Sequence, residues 1–106
     1  MKLVPWPQWL DEHIPYYEAE RHRSRFLDNP PAVVLVIQPQ DRVIRSPAVW
    51  SQGRKTQGLR NWEEYLLDSQ LMEYDAVPLF LENDSRQEWY WAFWDANQAL
   101  IAVMKL

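Results

Sequence analysis

The sequence predicts an α+β domain with a five-stranded, mainly antiparallel sheet and helices at its N-terminal end. Two stretches carry this prediction. Residues 89–94 (WYWAFW) are apolar at both odd and even positions, and successive side chains of a strand point to opposite faces of the sheet. Residues 32–37 (AVVLVI) are mostly β-branched and also lack polar alternation, which is typical of a strand covered on both faces. Such a sheet needs a covering layer on each side.

The chain of 106 residues has the length of a single domain with one hydrophobic core. We expect residues 1–29 to form an N-terminal helical cover and residues 32–106 to form the sheet core. Apolar residues of the first segment recur at helical spacing, and Pro15 predicts a division into two short helices. The second of these, residues 16–27, is polar in its middle, which indicates an amphipathic helix lying on the sheet.

Turn residues separate the other predicted elements. In chain order, these elements are an extended lead-in (1–6), a first hairpin (32–37 and 42–46), a helical turn (48–50), a loop with both glycines (51–58), a helix (61–72), a strand (76–82) and a closing hairpin (88–106) with strands 89–94 and 99–104. Pro78 cannot donate a ladder hydrogen bond, so we expect it on an edge strand or at the end of a strand. This order gives strand-strand-helix-strand-strand-strand after the N-terminal helices.

Composition excludes several classes of function. The chain has no cysteine, which excludes disulfides, thiolate nucleophiles and zinc-finger sites. It has no apolar run of bilayer-spanning length, and its start, MKLVPWPQWLDEH, lacks the pattern of a secretory signal. We therefore expect a cytoplasmic protein with no membrane partner. The formal net charge of −4 disfavours nucleic-acid binding, which rewards clustered Lys and Arg.

Tryptophan is the unusual feature of the composition, with seven residues, and it is a residue type enriched at interfaces. If the N-terminal helices cover only part of the sheet, the aromatic strand offers a large apolar patch to a partner. The predicted partner-binding residues are Trp89, Trp91, Phe93 and Trp94, together with Arg54 and Lys55 of the glycine-containing loop. The alternative is a core completed by Trp6, Trp9 and Tyr17, and the sequence does not decide between the two.

Charges are unevenly distributed. Every charged residue between Arg42 and Arg60 is positive, whereas residues 63–95 carry nine acids and one base. Such asymmetry can orient self-association or attract an anionic partner. An ordinary solvated loop also accounts for the basic stretch, and we weight that reading more heavily.

No arrangement of residues predicts catalysis or metal binding. Glu18 and His22 stand four apart, as two helical metal ligands would, but an exposed charge pair on a helix is the favoured reading. The stretch Gly53-Arg54-Lys55-Thr56 lacks the glycine and lysine placement of a phosphate-binding loop. We therefore predict a non-enzymatic protein with no metal and no cofactor.

The element order resembles that of PAS-like domains over residues 32–106, and the segment VVLVIQPQDRVIRSP is similar to their opening hairpin. The resemblance implies a sheet whose first and last strands are adjacent. Family members that bind flavin covalently need a cysteine, which this chain lacks, and those that bind haem use a histidine in the helical connection, which residues 47–74 lack. The resemblance therefore implies partner binding or homodimerisation more than cofactor binding, while profilin-like and other α+β sandwiches stay open.

Three hypotheses of function follow. The first is a small interaction or dimerisation module that works through the aromatic sheet surface and the adjacent basic loop. The alternative is a small-molecule-binding sensory domain with its pocket between the sheet and the middle helix. The residues predicted to line that pocket are Trp50, Trp62, Phe80 and Trp91. A third and weaker hypothesis is an enzyme whose site assembles only in the fold or at a dimer interface.

Overall fold

In the part of the chain that the structure describes, a four-stranded sheet lies between two pairs of helices. The structure is a computed structural model, and it describes residues 1–38, 62–81 and 88–106. The strands are β1 (Lys2–Pro5), β2 (Val33–Ile37), β3 (Val77–Leu79) and β4 (Trp89–Phe93). The helices are α1 (Trp6–Glu12), α2 (Tyr16–Arg25), α3 (Trp62–Leu71), which continues into a 3₁₀ turn (Met72–Tyr74), and α4 (Ala96–Lys105).

The strand order is β1-β2-β4-β3, and every neighbouring pair is antiparallel. Leu35 of β2 pairs with Trp91 of β4, which in turn pairs with Pro78 of β3. Both strands that the sequence marks as apolar on two faces, β2 and β4, therefore lie in the interior of the sheet. The α+β class and these two interior strands are confirmed.

The prediction of a five-stranded sheet in the order strand-strand-helix-strand-strand-strand is wrong. Within the described residues the sheet has four strands, and the segment expected as its last strand, residues 99–104, belongs to helix α4. Another member, β1, comes from the segment expected to be only an extended lead-in. The second strand of the first hairpin (42–46), the helical turn (48–50) and the glycine-containing loop (51–58) fall outside the described residues.

Helix α4 forms because its first turn is capped and its inward face is apolar at helical spacing. The Asp95 side chain accepts hydrogen bonds from the backbone N–H groups of Asn97 and Gln98, and this satisfies two of the donors that a helix leaves unpaired at its start. Ala99 and Ala102 are buried three residues apart on the side that faces the sheet. Alanine has the highest helix propensity, so local preference and packing agree.

Both edge strands contain a proline. Pro5 ends β1 and Pro78 lies in the middle of β3, and the strand order places both strands at the edges of the described sheet. Proline has no N–H to donate, so it is tolerated at an edge and makes that edge a poor template for pairing with another chain. The prediction that Pro78 lies on an edge strand or at a strand end is confirmed for the edge.

Residues of β4 alternate between two hydrophobic clusters. Tyr90 and Ala92 belong to the cluster under α1 and α2, whereas Trp89, Trp91 and Phe93 belong to the cluster under α3 and α4. All five residues of the strand are buried. The expectation that this strand is covered on both sides is confirmed, and helices supply both covers.

The N-terminal cover consists of two helices, as predicted. Pro15 lies at the N-cap of α2 with extended backbone angles, and α1 has already ended at Glu12. Trp6 and Trp9 of α1 stack with ring centroids 5.4 Å apart, and both are buried against the sheet. In the described part of the chain, no helix has the length and apolar character needed to span a bilayer.

Candidate functional site

Three of the four aromatic residues predicted to bind a partner lie in the core. Trp89 is 3% exposed, and Trp91 and Phe93 are not exposed at all. The indole N–H of Trp91 donates to a carboxylate oxygen of Asp68 in α3 at 3.0 Å, which ties the central strand to the helix above it. These side chains fill the space between the sheet and two helices, so they offer no open surface to a partner. The alternative of an aromatic core describes these three residues and holds for Trp6 and Trp9, but it is wrong for Tyr17, which is 56% exposed.

Trp94, the fourth predicted residue, is half-buried at the end of β4. Its indole N–H donates to the backbone carbonyl of Asn29 at 2.7 Å, and its ring meets that of Phe26 edge-on at 5.6 Å. These contacts fasten the end of the strand to the connection between α2 and β2. Trp94 therefore also serves the internal packing of the described chain.

The other predicted site residues divide between described and undescribed parts of the chain. Arg54 and Lys55, the basic half of the interaction hypothesis, lie outside the described residues, as does Trp50 of the predicted pocket. Trp62 begins α3, but its side chain is not among the described ones. Phe80 is partly buried, and its backbone carbonyl accepts a hydrogen bond from Arg21.

A buried polar cluster that the sequence did not predict lies between α2 and the end of β3. Glu18 is 1% exposed and His22 is fully buried. Arg21 Nη2 donates to a carboxylate oxygen of Glu18 at 2.9 Å and to the carbonyl of Phe80 at 2.8 Å. Burying a carboxylate is costly unless a charged donor pairs with it, so Arg21 both stabilises Glu18 and joins α2 to the sheet edge.

The favoured reading of Glu18 and His22 as an exposed pair is wrong, because both side chains point into the core. His22 Nε2 lies 3.8 Å from the Glu18 carboxylate, and the histidine ring meets Trp9 edge-on at 5.4 Å. Metal binding gains no support, since the described residues contain no group of three or more potential ligands. In the sequence, Ala19, a small apolar residue next to Glu18, indicates that this side of α2 faces the core.

A second polar cluster lies at the end of the sheet where β2 finishes and β4 begins. Glu88 accepts hydrogen bonds from the Tyr90 hydroxyl at 2.8 Å and from the Gln38 amide at 3.0 Å. Burial raises the pKa of Glu88, but these two bonds and the nearby charges of His13 and Lys2 outweigh it and lower the pKa below its ordinary value of 4.5. Glu88 is therefore a fixed anion at neutral pH and not a proton donor for acid–base chemistry.

This cluster predicts a pH dependence of stability. A carboxyl group whose pKa is lowered by folding stabilises the native state above 4.5 and loses that contribution as the pH falls through its folded-state value. In urea titrations between about pH 5 and pH 3, Glu88→Gln should show a shallower loss of unfolding free energy than the unmodified protein. Tyr90→Phe, which removes one donor, should give an intermediate slope. Identical slopes for all three proteins would contradict the role of Glu88.

Helix α4 presents large apolar side chains to solvent, on the side opposite the sheet. Leu100, Ile101 and Met104 are 54%, 41% and 80% exposed, and they share one face because residues three and four apart are neighbours on a helix. We call these three residues the α4 outer face. The opposite side of α4 is also apolar, since Ala99 and Ala102 are packed on the sheet. Contiguous exposed apolar side chains of this kind mark a candidate interaction surface.

A groove adjoins this helix. It has a volume of about 200 Å³ and is lined by Gln70, Leu71, Glu73, Tyr74, Ala102, Lys105 and Leu106. Pockets for small organic ligands usually measure roughly 300–1,000 Å³, so this groove is small for such a ligand. Lys105, one of the residues that line the groove, lies one helical turn after Ile101 of the outer face. The groove therefore lies beside the α4 outer face and not under it.

Other exposed apolar residues do not form a comparable face. Tyr16 and Tyr17 begin α2 and are 79% and 56% exposed, and Leu27, which follows the helix, is 73% exposed. Glu20 and Arg23 form an ion pair on the exposed part of the same helix. Isolated exposed apolar residues are normal on protein surfaces. The α4 outer face is therefore the candidate functional site. Searches against family models, curated proteins and solved structures found no match to this chain.

Proposed function

We propose that this chain is a small interaction module that associates with a second copy of itself through the α4 outer face. The observation that carries the proposal is the exposure of Leu100, Ile101 and Met104 on a helix whose other side is already apolar and packed. Exposing such a face to water is unfavourable, at about 25 cal/mol per Å² of apolar surface. Covering it with a partner of the same character recovers that free energy.

A second copy is the partner that fits this face. From Ala96 to Met104 the helix carries no charged side chain, whereas Asp95 and Lys105 at its two ends have opposite charges. Two such helices can bury their apolar middles without enclosing a charge, and isologous two-fold dimers are the commonest oligomers. A strongly charged partner would find no charged side chain to pair with along the α4 outer face.

The rest of the described molecule leaves few other routes to association. Both sheet faces are covered by helices, and proline weakens both edges of the described sheet as templates for strand addition. The proposed interaction surface is therefore on the C-terminal helix and not on the aromatic strand. Of the residues predicted to line the small-molecule pocket, Trp91 is sealed in the core, and Trp50 lies outside the described residues.

The test is a paired substitution on the outer face. Leu100→Gln/Met104→Gln keeps good helix formers and leaves the net charge unchanged. Each buried side chain of this size contributes about 1.5–3 kcal/mol and each 1.4 kcal/mol is about tenfold in affinity, so the dimer dissociation constant should rise at least tenfold. Sedimentation equilibrium over a range of concentrations measures it.

The matched control replaces the same two residue types elsewhere on the surface. Leu27 and Met72 are 73% and 63% exposed, and Leu27→Gln/Met72→Gln should leave the dissociation constant unchanged. Both variants should keep the urea midpoint of the separated monomer, since surface substitutions usually change stability by less than about 0.5 kcal/mol. An unmodified protein that stays monomeric at every concentration would overturn the proposal.

A further inference from the structure

We propose that Met104 is a modification site, at which oxidation by a peroxide weakens the association of two copies of this chain. The inference rests on the proposed self-association and adds a means of controlling it. Met104 is the most exposed of the three methionines, at 80%, compared with 63% for Met72 and 41% for Met1. The chain has no cysteine, so every sulfur atom that a peroxide can oxidise belongs to a methionine.

Met104 lies at the middle of the α4 outer face. At about 100° per residue, the direction of Leu100 is about 40° to one side of Met104 and that of Ile101 is about 60° to the other side. The buried residues Ala99 and Ala102 lie on the opposite side of the helix, against the sheet. A second copy that covers the outer face therefore covers the Met104 side chain. Its sulfur is accessible in the separated chain and protected in the pair.

The reaction adds one oxygen atom to the Met104 sulfur. A sulfur lone pair forms the new S–O bond, and the O–O bond of hydrogen peroxide breaks. The transferred oxygen gives its proton to the departing oxygen, which leaves as water. The sulfur is oxidised by two electrons and the peroxide is reduced by two. The product, methionine sulfoxide, is polar, and enzymes can reduce it back to methionine, so the modification is reversible.

The sulfoxide is tolerated in the separated chain and unfavourable in the pair. Water hydrates its oxygen in the separated chain, because Met104 is mostly exposed there. Between two copies the oxygen is buried beside Leu100 and Ile101, whose side chains have no hydrogen-bond donor. Burying a polar group without a hydrogen-bond partner is unfavourable, and a two-fold pair contains the site twice. Oxidation should therefore raise the dissociation constant of the dimer and leave the monomer folded.

The rate of oxidation gives the first test. If the pair covers Met104, only separated chains react at this residue. At a protein concentration where about nine-tenths of the chains are paired, Met104 should be oxidised about tenfold more slowly than in dilute protein. Met72 lies outside the face and should react equally fast at both concentrations. Peptide mass spectrometry after exposure to excess hydrogen peroxide measures both rates. A Met104 rate independent of concentration, in protein that does associate, would overturn the inference.

The dissociation constant gives the second test. Sedimentation equilibrium compares the unmodified chain, Met72→Leu and Met104→Leu, each with its own value before oxidation. Leucine has no sulfur and is an apolar side chain of similar size. Oxidation should raise the dissociation constant by roughly tenfold or more in the unmodified chain and in Met72→Leu. It should not change that of Met104→Leu, which keeps the other two methionines. Circular dichroism checks that the oxidised proteins remain folded.

The outcomes separate this inference from the self-association on which it rests. If peroxide raises the dissociation constant of Met104→Leu as much as that of the unmodified chain, Met104 is not the sensitive site, and self-association stands. The inference is also wrong if the unmodified chain keeps its dissociation constant after Met104 has been fully oxidised. A chain that stays monomeric at every concentration before oxidation would overturn self-association itself, and the inference with it.

Discussion

Trp91→Ala should destabilise the protein by about 3–5 kcal/mol, the usual cost of removing a large aromatic side chain from a core. Trp91 is fully buried in the central strand, and its loss leaves a cavity that the paired strands on both sides cannot close. It also removes the N–H that donates to Asp68 at 3.0 Å. The free energy of unfolding of domains of this size is typically roughly 5–15 kcal/mol, so the expected loss is a large part of the total stability. Urea denaturation followed by far-UV circular dichroism measures the change.

Trp94→Ala is the matched control, because it removes the same side chain three residues further along. Trp94 is half-buried and its principal contacts are one ring edge and one backbone carbonyl. We expect a loss of about 1–2 kcal/mol, in the ordinary range for single substitutions. Equal losses for the two variants would mean that Trp91 is not the central packing residue that its burial indicates.

This pair of substitutions also separates the two readings that the sequence left open. A residue that binds a partner can be removed while the monomer stays folded, whereas a core residue cannot. The apolar pattern of residues 89–94 correctly predicted burial on both faces, because a strand with no polar side has to be covered twice. It did not reveal what the cover is. Four helices supply it in the described structure, and this leaves no aromatic surface on the sheet.

Helix α4 is the element that sequence reasoning misassigned, and a signal for it was present. Asp95 was interpreted as a turn residue, since aspartate favours turns and helix N-caps alike. Gln98 follows it by three residues and an apolar run follows that, which is the pattern of a helix start. The alanines at positions 96, 99 and 102 add high helix propensity. Because the sequence predicts a strand at residues 99–104, it does not predict an exposed helix face there.

The buried polar clusters could not be predicted in the same way. Which residues of α2 face inward depends on Phe80, 59 residues away from Arg21 in the sequence. Polar residues in the middle of a helix normally predict an exposed face, and Glu18 and His22 break that rule. The donor to the Glu18 carboxylate is Arg21, three residues away on the same helix, and Arg21 reaches the Phe80 carbonyl only in the folded arrangement.

Arg21→Ala should therefore cost more than its partly exposed position suggests. The substitution removes the guanidinium that donates to both Glu18 and Phe80, and Glu18, at 1% exposure, loses this charge-assisted hydrogen bond. Removing one member of a buried ion pair typically costs about 3–5 kcal/mol. The Arg21 side chain is 37% exposed, so water can enter the space it leaves, and we expect about 2–3 kcal/mol in urea titrations at neutral pH.

Arg23→Ala provides the control within the same helix. Arg23 and Glu20 form an ion pair with the same three-residue spacing as Arg21 and Glu18, but both partners are about half exposed, and exposed pairs contribute only about 0.2–1 kcal/mol. The double variant Glu18→Leu/Arg21→Leu should recover part of the loss, because apolar replacement of both members of a buried pair is often neutral or stabilising. If Arg21→Ala costs no more than Arg23→Ala, Glu18 does not depend on Arg21 for its stability in the core. A double variant less stable than Arg21→Ala alone would show that the carboxylate contributes through other contacts, among which His22 at 3.8 Å is the first to test.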